Sequence, residues 1–179
     1  MKNLIGLTIN SKKITEKTPS EPWPGHFSCS NINLTSLEGA PASVGGNFYC
    51  SNNKLTSLEG APASVGGYFW CYDNQLTSLE GAPASVGGDF WCYDNHLTSL
   101  KDIHKQLKKI DGDFYAYGNP IKSNVIGLLL VPGCNEVYLD NKEVEKIINR
   151  HLKSPFGNKR VIVCQLEMLD ADLGDWAEL

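Results

Sequence analysis

Six cysteines are the first residues to suggest chemistry. Four of them, Cys29, Cys50, Cys71 and Cys92, recur every 21 residues. Zinc wants four ligands in a tetrahedron, usually from paired C-x-x-C knuckles, and one thiol per period in a line does not make one. On neighbouring parallel strands about 4.8 Å apart the Cα spacing suits a disulfide, but parallel Cβ vectors leave the sulfurs badly aimed. Buried free thiols are expected. Cys134 and Cys164 have no partner motif, so the set fits a reducing compartment. His26, His96, His104 and His151 form no H-E-x-x-H array, and no G-x-S-x-G, P-loop or Rossmann fingerprint occurs. Two "YDN" triplets put Asp73 and Asp94 at one place in adjacent periods. Calcium would need more oxygens in a defined order, and a glycosidase pair would need a pocket. The expectation is no catalytic residue, no metal and no cofactor, in a protein that is not an enzyme.

The elements that position these residues follow from the period. "LTSLEGAPASVGG" occurs three times unchanged, from Leu34, Leu55 and Leu76. Phe27, Phe48, Phe69 and Phe90 keep the same 21-residue spacing, as do Leu37, Leu58, Leu79 and Leu100. A further copy, "GDFYAYGNPI", follows a three-residue insertion, with Phe114 in the Phe place and Ala116 in the Cys place. One such unit cannot bury its apolar face alone, whereas a stack makes one continuous core. Period-2 alternation in x-F-x-C-x turns Phe and Cys inward. Asn53, Asn74, Asn95 and Asn119 then form a ladder whose amides satisfy backbone groups at each coil's corner. Ile32 in the Asn place interrupts it at the N-terminal edge, with Asn31 or Asn33 as candidates to compensate. "EGAPASVGG" is too short and too rich in Gly and Pro for a full helix, so extended or turn-like backbone is expected there.

The unit F-x-C-x-x-N-x-L-T-S-L resembles the leucine-rich repeat, with Phe and Cys at the first two Leu places. It is most similar to short leucine-rich-repeat proteins of tailed bacteriophages, which carry near-identical GGxFxCxxNxLTSLEGAP units and a helical C-terminus. The resemblance implies an α/β solenoid: a curved parallel β-sheet of six or seven rungs, a mostly non-helical convex side and an α-helical C-terminal cap. For function it implies little beyond binding. Three segments are expected: an N-terminal cap over 1–26, the repeats over 27–121, and a mainly helical cap over 122–179.

At the front, "LTINSKKI" sets Leu7 and Ile9 about one period before Phe27 and Cys29, as a degenerate capping rung. In "KDIHKQLKKI", Ile103, Leu107 and Ile110 have helical spacing, predicting a short convex-side helix with its lysines outward. Beyond Pro120, "SNVIGLLLV" reads as a short helix capped by Ser123, "EVYLD" as a last strand, and "NKEVEKIINRHL" as an amphipathic helix capped by Asn141. "SPFGNK" reads as a turn, "RVIVCQLEML" as another helix and "LGDWAEL" as a docked turn.

With Phe and Cys inside, three columns face outward on the concave sheet. The first runs His26, Asn47, Tyr68, Asp89, Asp113. The second runs Ser28, Tyr49, Trp70, Trp91, Tyr115, and the third Ser30, Ser51, Tyr72, Tyr93, Tyr117. Asp73, Asp89, Asp94 and Asp113 rim the rings. Cross-strand ladders alone would account for aromatics on a sheet, but contiguous exposed aromatic surface tends to mark a partner site.

Three functions compete. The leading expectation is a protein–protein interaction module whose aromatic, acidic face grips a protein of the host bacterium, a defence component among the candidates. The second is a small ligand, a glycan or nucleotide, stacked on the rings. The third is self-association, as a homodimer, through the aromatic face or the C-terminal cap. Formal net charge is −4, a poor basis for nucleic-acid binding. The apolar run "VIGLLLV" falls far short of the roughly 20 residues that span a bilayer, and "MKNLIGLTIN", with one Lys and a very short apolar patch, lacks the apolar stretch and cleavage site of a secretory signal. No membrane association and a cytoplasmic place, the host cytoplasm for a phage protein, are expected.

Overall fold

Each 21-residue period folds as one coil with two short extended legs. A computed structural model describes residues 2–9, 12–15, 21–155, 157 and 159–178. The Phe-led legs are β4 (Phe27–Ser28), β6 (Phe48–Tyr49), β8 (Phe69–Trp70), β10 (Phe90–Trp91), β12 (Phe114–Tyr115) and β13 (Val137–Tyr138). They pair in parallel as one six-stranded sheet, with Phe27, Phe48, Phe69, Phe90, Phe114 and Val137 in register. The return legs make a second parallel sheet of five strands: β3 (Pro22–Trp23), β5 (Ser43–Val44), β7 (Ser64–Val65), β9 (Ser85–Val86) and β11 (Lys109–Ile110). The extended backbone expected in "EGAPASVGG" is therefore paired rather than loose. The chain is a β-solenoid of about six turns.

The core lies between the sheets. Phe27, Phe48, Phe69, Phe90 and Phe114 are fully buried and stack with centroids 5.0–5.6 Å apart. The four cysteines lie beside them, also buried, with Ala116 continuing their column. Val44, Val65, Val86 and Ile110 close the core from the second sheet. Each ring taken from water contributes about 1.5–3 kcal/mol. Every described cysteine is a free thiol.

Close approach of successive coils explains the Gly-Gly pair. A Cβ on Gly66 would enter the carbonyl oxygen of Gly45, and one on Gly87 the carbonyl of Gly66. The corners are held by asparagine. Asn74 Nδ2 donates to the carbonyls of Cys50 (3.1 Å), Cys71 (3.0 Å) and Tyr72 (3.2 Å), while its Oδ1 accepts the Leu55 N–H at 3.0 Å. Asn95 and Asn119 repeat the set one and two coils on. At the Ile32 edge the compensation comes from Asn53, whose Oδ1 accepts from both Ile32 N (3.2 Å) and Leu34 N (2.9 Å). Lys2 Nζ reaches the Ile32 carbonyl.

Both ends differ in detail from expectation. Within the expected cap over 1–26, the stretch read as a rung is an antiparallel hairpin, β1 (Thr8–Ile9) against β2 (Lys12–Lys13), while Pro22–Trp23 joins the second sheet as a parallel strand. The hairpin segment docks through buried Leu4 and Ile14 and a Leu4 N–H to Glu38 carbonyl bond of 3.0 Å. Residues 10 and 11 of "LTINSKKI" lie outside the described residues. "KDIHKQLKKI" gives a single helical turn, α1 (Ile103–Gln106), because Leu107 turns extended and Ile110 must serve in β11 beside Val86. "SNVIGLLLV" becomes a 3-10 helix over Ile126–Leu130, and Ser123 does not cap it: its hydroxyl donates to Asn124 Oδ1 at 2.8 Å.

The C-terminal cap is α2 (Lys142–Leu152), α3 (Lys159–Asp170) and a 3-10 turn over Gly174–Ala177. Asn141 caps α2 as predicted, its side chain accepting from Glu143 N and Val144 N. Helix α2 covers the open sheet edge with side chains. Asn149 accepts the Val137 N–H at 2.7 Å and donates to the Val137 carbonyl at 2.9 Å, and Glu145 accepts the Leu139 N–H at 2.7 Å. Those groups of the last strand are thereby blocked from pairing with another chain. Of the "SPFGNK" turn, Phe156 and Asn158 lie outside the described residues. Among the described residues no helix is long and apolar enough to cross a membrane.

Candidate aromatic binding face

In-register parallel strands put equivalent side chains directly above one another at the strand spacing, so rings at one position in successive coils are brought into contact. The second column keeps ring contact along its length, stacked at Trp70–Trp91 (13°) but tilted at Tyr49–Trp70 (52°) and edge-on at Trp91–Tyr115 (64°). Tyr49 lies 4.5 Å from Trp70, Trp70 4.6 Å from Trp91, and Trp91 5.3 Å from Tyr115 (centroid distances). The column extends one ring beyond the sequence reading: Tyr115 stacks on Tyr138 at 4.4 Å and 2°. Val137 in the Phe place was the signal for Tyr138 in the Trp place. The third column stacks more regularly, with Tyr72 4.5 Å from Tyr93 and Tyr93 4.7 Å from Tyr117, at 6° and 9°. Tyr68 leans on Trp70 at 6.2 Å.

These contacts bring the eight predicted aromatic residues together beside the six-stranded sheet, with graded exposure, while Asp89 and Asp113 immediately precede its strands and Asp73 and Asp94 lie in the turns that follow. Tyr68 (43%) and Tyr117 (38%) are exposed, while Tyr49, Trp70, Tyr72, Trp91, Tyr93 and Tyr115 are half-buried against each other. The indole N–H groups of Trp70 and Trp91 are buried and have no hydrogen-bond partner among the described residues. The picture of freely wetted indoles needs correction. Neighbouring rings cover part of each ring, near-parallel at Trp70–Trp91, Tyr72–Tyr93, Tyr93–Tyr117 and Tyr115–Tyr138 and tilted or edge-on at Tyr49–Trp70 and Trp91–Tyr115.

The acidic positions do two jobs. Asp73 and Asp94 have left-handed backbone, φ 51° and 50°, as do Asn31, Asn52 and Gly118 in the same place of other coils. Asn, Asp and Gly tolerate that conformation best, so the turn selects the residue type and only some coils add a charge. Asp89 Oδ1 accepts the Asp113 N–H at 3.0 Å, just as Asn47 Oδ1 accepts the Tyr68 N–H at 2.9 Å. Asp113 Oδ2 accepts the Tyr115 hydroxyl at 3.3 Å. Asp140 and Glu136 extend the acidic rim and were not anticipated. Glu136 is already engaged, accepting from Tyr138 and paired with Lys153 at 2.6 Å. Among the described residues, none of Asp73, Asp89, Asp94 and Asp113 has a cationic partner within ion-pair distance.

The electrostatics of the face are consistent with this. Burial, then the neighbouring phenols, then Asp73 and Asp94 push the Tyr93 hydroxyl well above the ordinary tyrosine range. Burial and then Asp113 do the same to Tyr115. The Asp94 carboxyl is itself raised, by burial and then by Asp73 and Asp140. Each shift marks a surface that disfavours further negative charge.

The repeat thiols lie buried in the core. Burial pushes Cys29 up to about 12 and holds Cys50 and Cys71 far above the ordinary thiol range. Among the described residues no three His, Cys, Asp or Glu side chains are grouped to hold a metal ion.

No family model, curated protein or solved structure matches this chain.

Proposed function

We propose that this protein is a non-enzymatic binding module whose aromatic, acidic sheet face grips a protein partner presenting Arg or Lys among apolar side chains. The observation that carries the reading is the pairing of a continuous ring ladder with carboxylates that lack cations. The ladder holds its rings, Tyr68 and Tyr117 the most exposed, in a packed array, so little conformational entropy is lost on binding. The carboxylates and phenol oxygens offer acceptors, and each charge-assisted hydrogen bond from a guanidinium contributes about 1.5–3 kcal/mol where water is excluded.

Stacked rings favour this reading over a flat ligand. A sugar or nucleobase stacks on an open ring face, and at Trp70–Trp91, Tyr72–Tyr93, Tyr93–Tyr117 and Tyr115–Tyr138 the facing surfaces are taken by the next coil's ring. Phosphates would also meet the acidic rim.

The likeness of the repeat to short phage leucine-rich-repeat proteins supports a host bacterial protein as the target, met in the host cytoplasm. The test is affinity capture from bacterial lysate with wild type and two variants, Tyr68→Ser/Tyr117→Ser and Asp73→Asn/Asp94→Asn. Asn is compatible with the left-handed turn, as Asn31 and Asn52 show. Both variants are expected to fold and to lose the specific partner. Identical partner sets from all three proteins would refute the assignment.

A further inference from the structure

Helix α3 is apolar on two opposite faces. Val161, Cys164 and Met168 are buried against the cap. On the opposite side Ile162 (60%), Val163 (40%), Leu166 (57%) and Leu169 (59%) are exposed. Ile162, Leu166 and Leu169 fall at i, i+4 and i+7, a straight stripe of the kind that seats another helix. Scattered exposed apolar residues need no explanation, but a contiguous stripe does.

The charges along the same helix indicate what covers it. Lys159 and Asp170, at opposite ends of the helix, flank the stripe, and both are exposed. Neither has an ion-pair partner among the described residues. This order opposes the helix dipole, since the first turn has no acidic residue and the last turn no basic one. Within one copy it therefore costs stability. Two α3 helices side by side and antiparallel reverse that cost. Their dipoles oppose, and the basic end of each meets the acidic end of the other. With Ile162 beside Leu169 of the second copy, Lys159 falls within reach of Asp170 of that copy.

We infer that α3 is a self-complementary dimerisation surface, pairing antiparallel with α3 of a second copy about a two-fold axis near Leu166. A contact built on one 12-residue helix per copy sits at the small end of specific interfaces, near or below about 1,200 Å² in total. The dimer is accordingly weak and concentration-dependent. It lies on the C-terminal cap and leaves the aromatic face of both copies free.

Sedimentation analysis from low micromolar to near-millimolar protein tests this. Wild type is expected to pass from monomer to dimer. Leu166→Glu is expected to weaken the dimer at least about tenfold with an unchanged thermal midpoint, because Leu166 is exposed. Lys159→Asp and Asp170→Lys are each expected to weaken it about two- to fivefold at low salt, and the double exchange to restore it. Tyr68→Ser/Tyr117→Ser is expected to change nothing in this assay, which separates the outcome from that of partner binding. A wild type that stays monomeric throughout overturns the proposal. So does a dimer indifferent to Leu166→Glu, or a double exchange that fails to restore what the single changes lost.

Discussion

Asn74 carries four hydrogen bonds from one buried amide, to groups of two successive coils. Asn74→Ala would leave the Leu55 N–H and the Cys50 carbonyl without that partner, at a cost of about 2–4 kcal/mol, measured by urea unfolding. The thiols fix a second outcome. Cys29, Cys134 and Cys164 are raised from 9.0 to about 12 by burial. Groups raised in the folded state contribute stability that is complete below their unfolded value and lost as pH rises through the folded one. Stability should therefore hold through neutral pH and decline between about 9 and 12, while Cys29→Ala/Cys164→Ala flattens the decline. Glu167 acts at the other limit. Its hydrogen bond from His151, with Arg150 nearby, holds it below the usual carboxylate range, so its contribution is present above that range and lost on acidification. At this scale the repeat made sidedness and the ladder legible, since identical units place identical residues alike. The Asp73 and Asp94 turns were read as charge alone. Their left-handed backbone was signalled only by Asn31, Asn52 and Gly118 in the same place.

The short strands are governed by how closely coils can approach. Gly66→Ala drives a methyl into the Gly45 carbonyl and is expected to cost about 1–3 kcal/mol. Gly25→Ala, where the added carbon meets nothing within 4 Å, should stay within about 0.5 kcal/mol of wild type. Thermal melts of the two side by side decide it. Element type was legible wherever the 21-residue period ran unbroken and less so at its ends. The helical spacing of Ile103, Leu107 and Ile110 is real, but Ile110 is claimed by the second sheet, where a strand position beside Val86 buries it fully. The N-terminal segment was read as a rung because Leu7 and Ile9 sit near the right distance. Thr8–Ile9 instead pairs back on Lys12–Lys13, and the N-terminal strand that joins the parallel stack is Pro22–Trp23. Asn149 and Glu145, which seal the last strand, lie on a helix whose amphipathic pattern was plain. Their reach to the strand edge depends on how α2 docks, which no local pattern encodes.

As a whole molecule the solenoid presents two separate surfaces. One sheet face carries two ring columns and an acidic rim, one end is closed by a hairpin, and the other by helices with a second apolar stripe. The two surfaces predict separable behaviour: partner capture tracks Tyr68, Tyr117, Asp73 and Asp94, and self-association tracks Leu166, Lys159 and Asp170. Partner binding should also weaken steadily with added salt, because exposed carboxylates meet cations across a wet rim. The most direct measurement is hydroxyl-radical footprinting of the protein alone and with its captured partner. The account predicts that Tyr68 and Tyr117 become protected in the complex, while Thr56 and Thr77 on the leg between the sheets keep their reactivity. Protection of those threonines, with Tyr68 and Tyr117 still reactive, would contradict it.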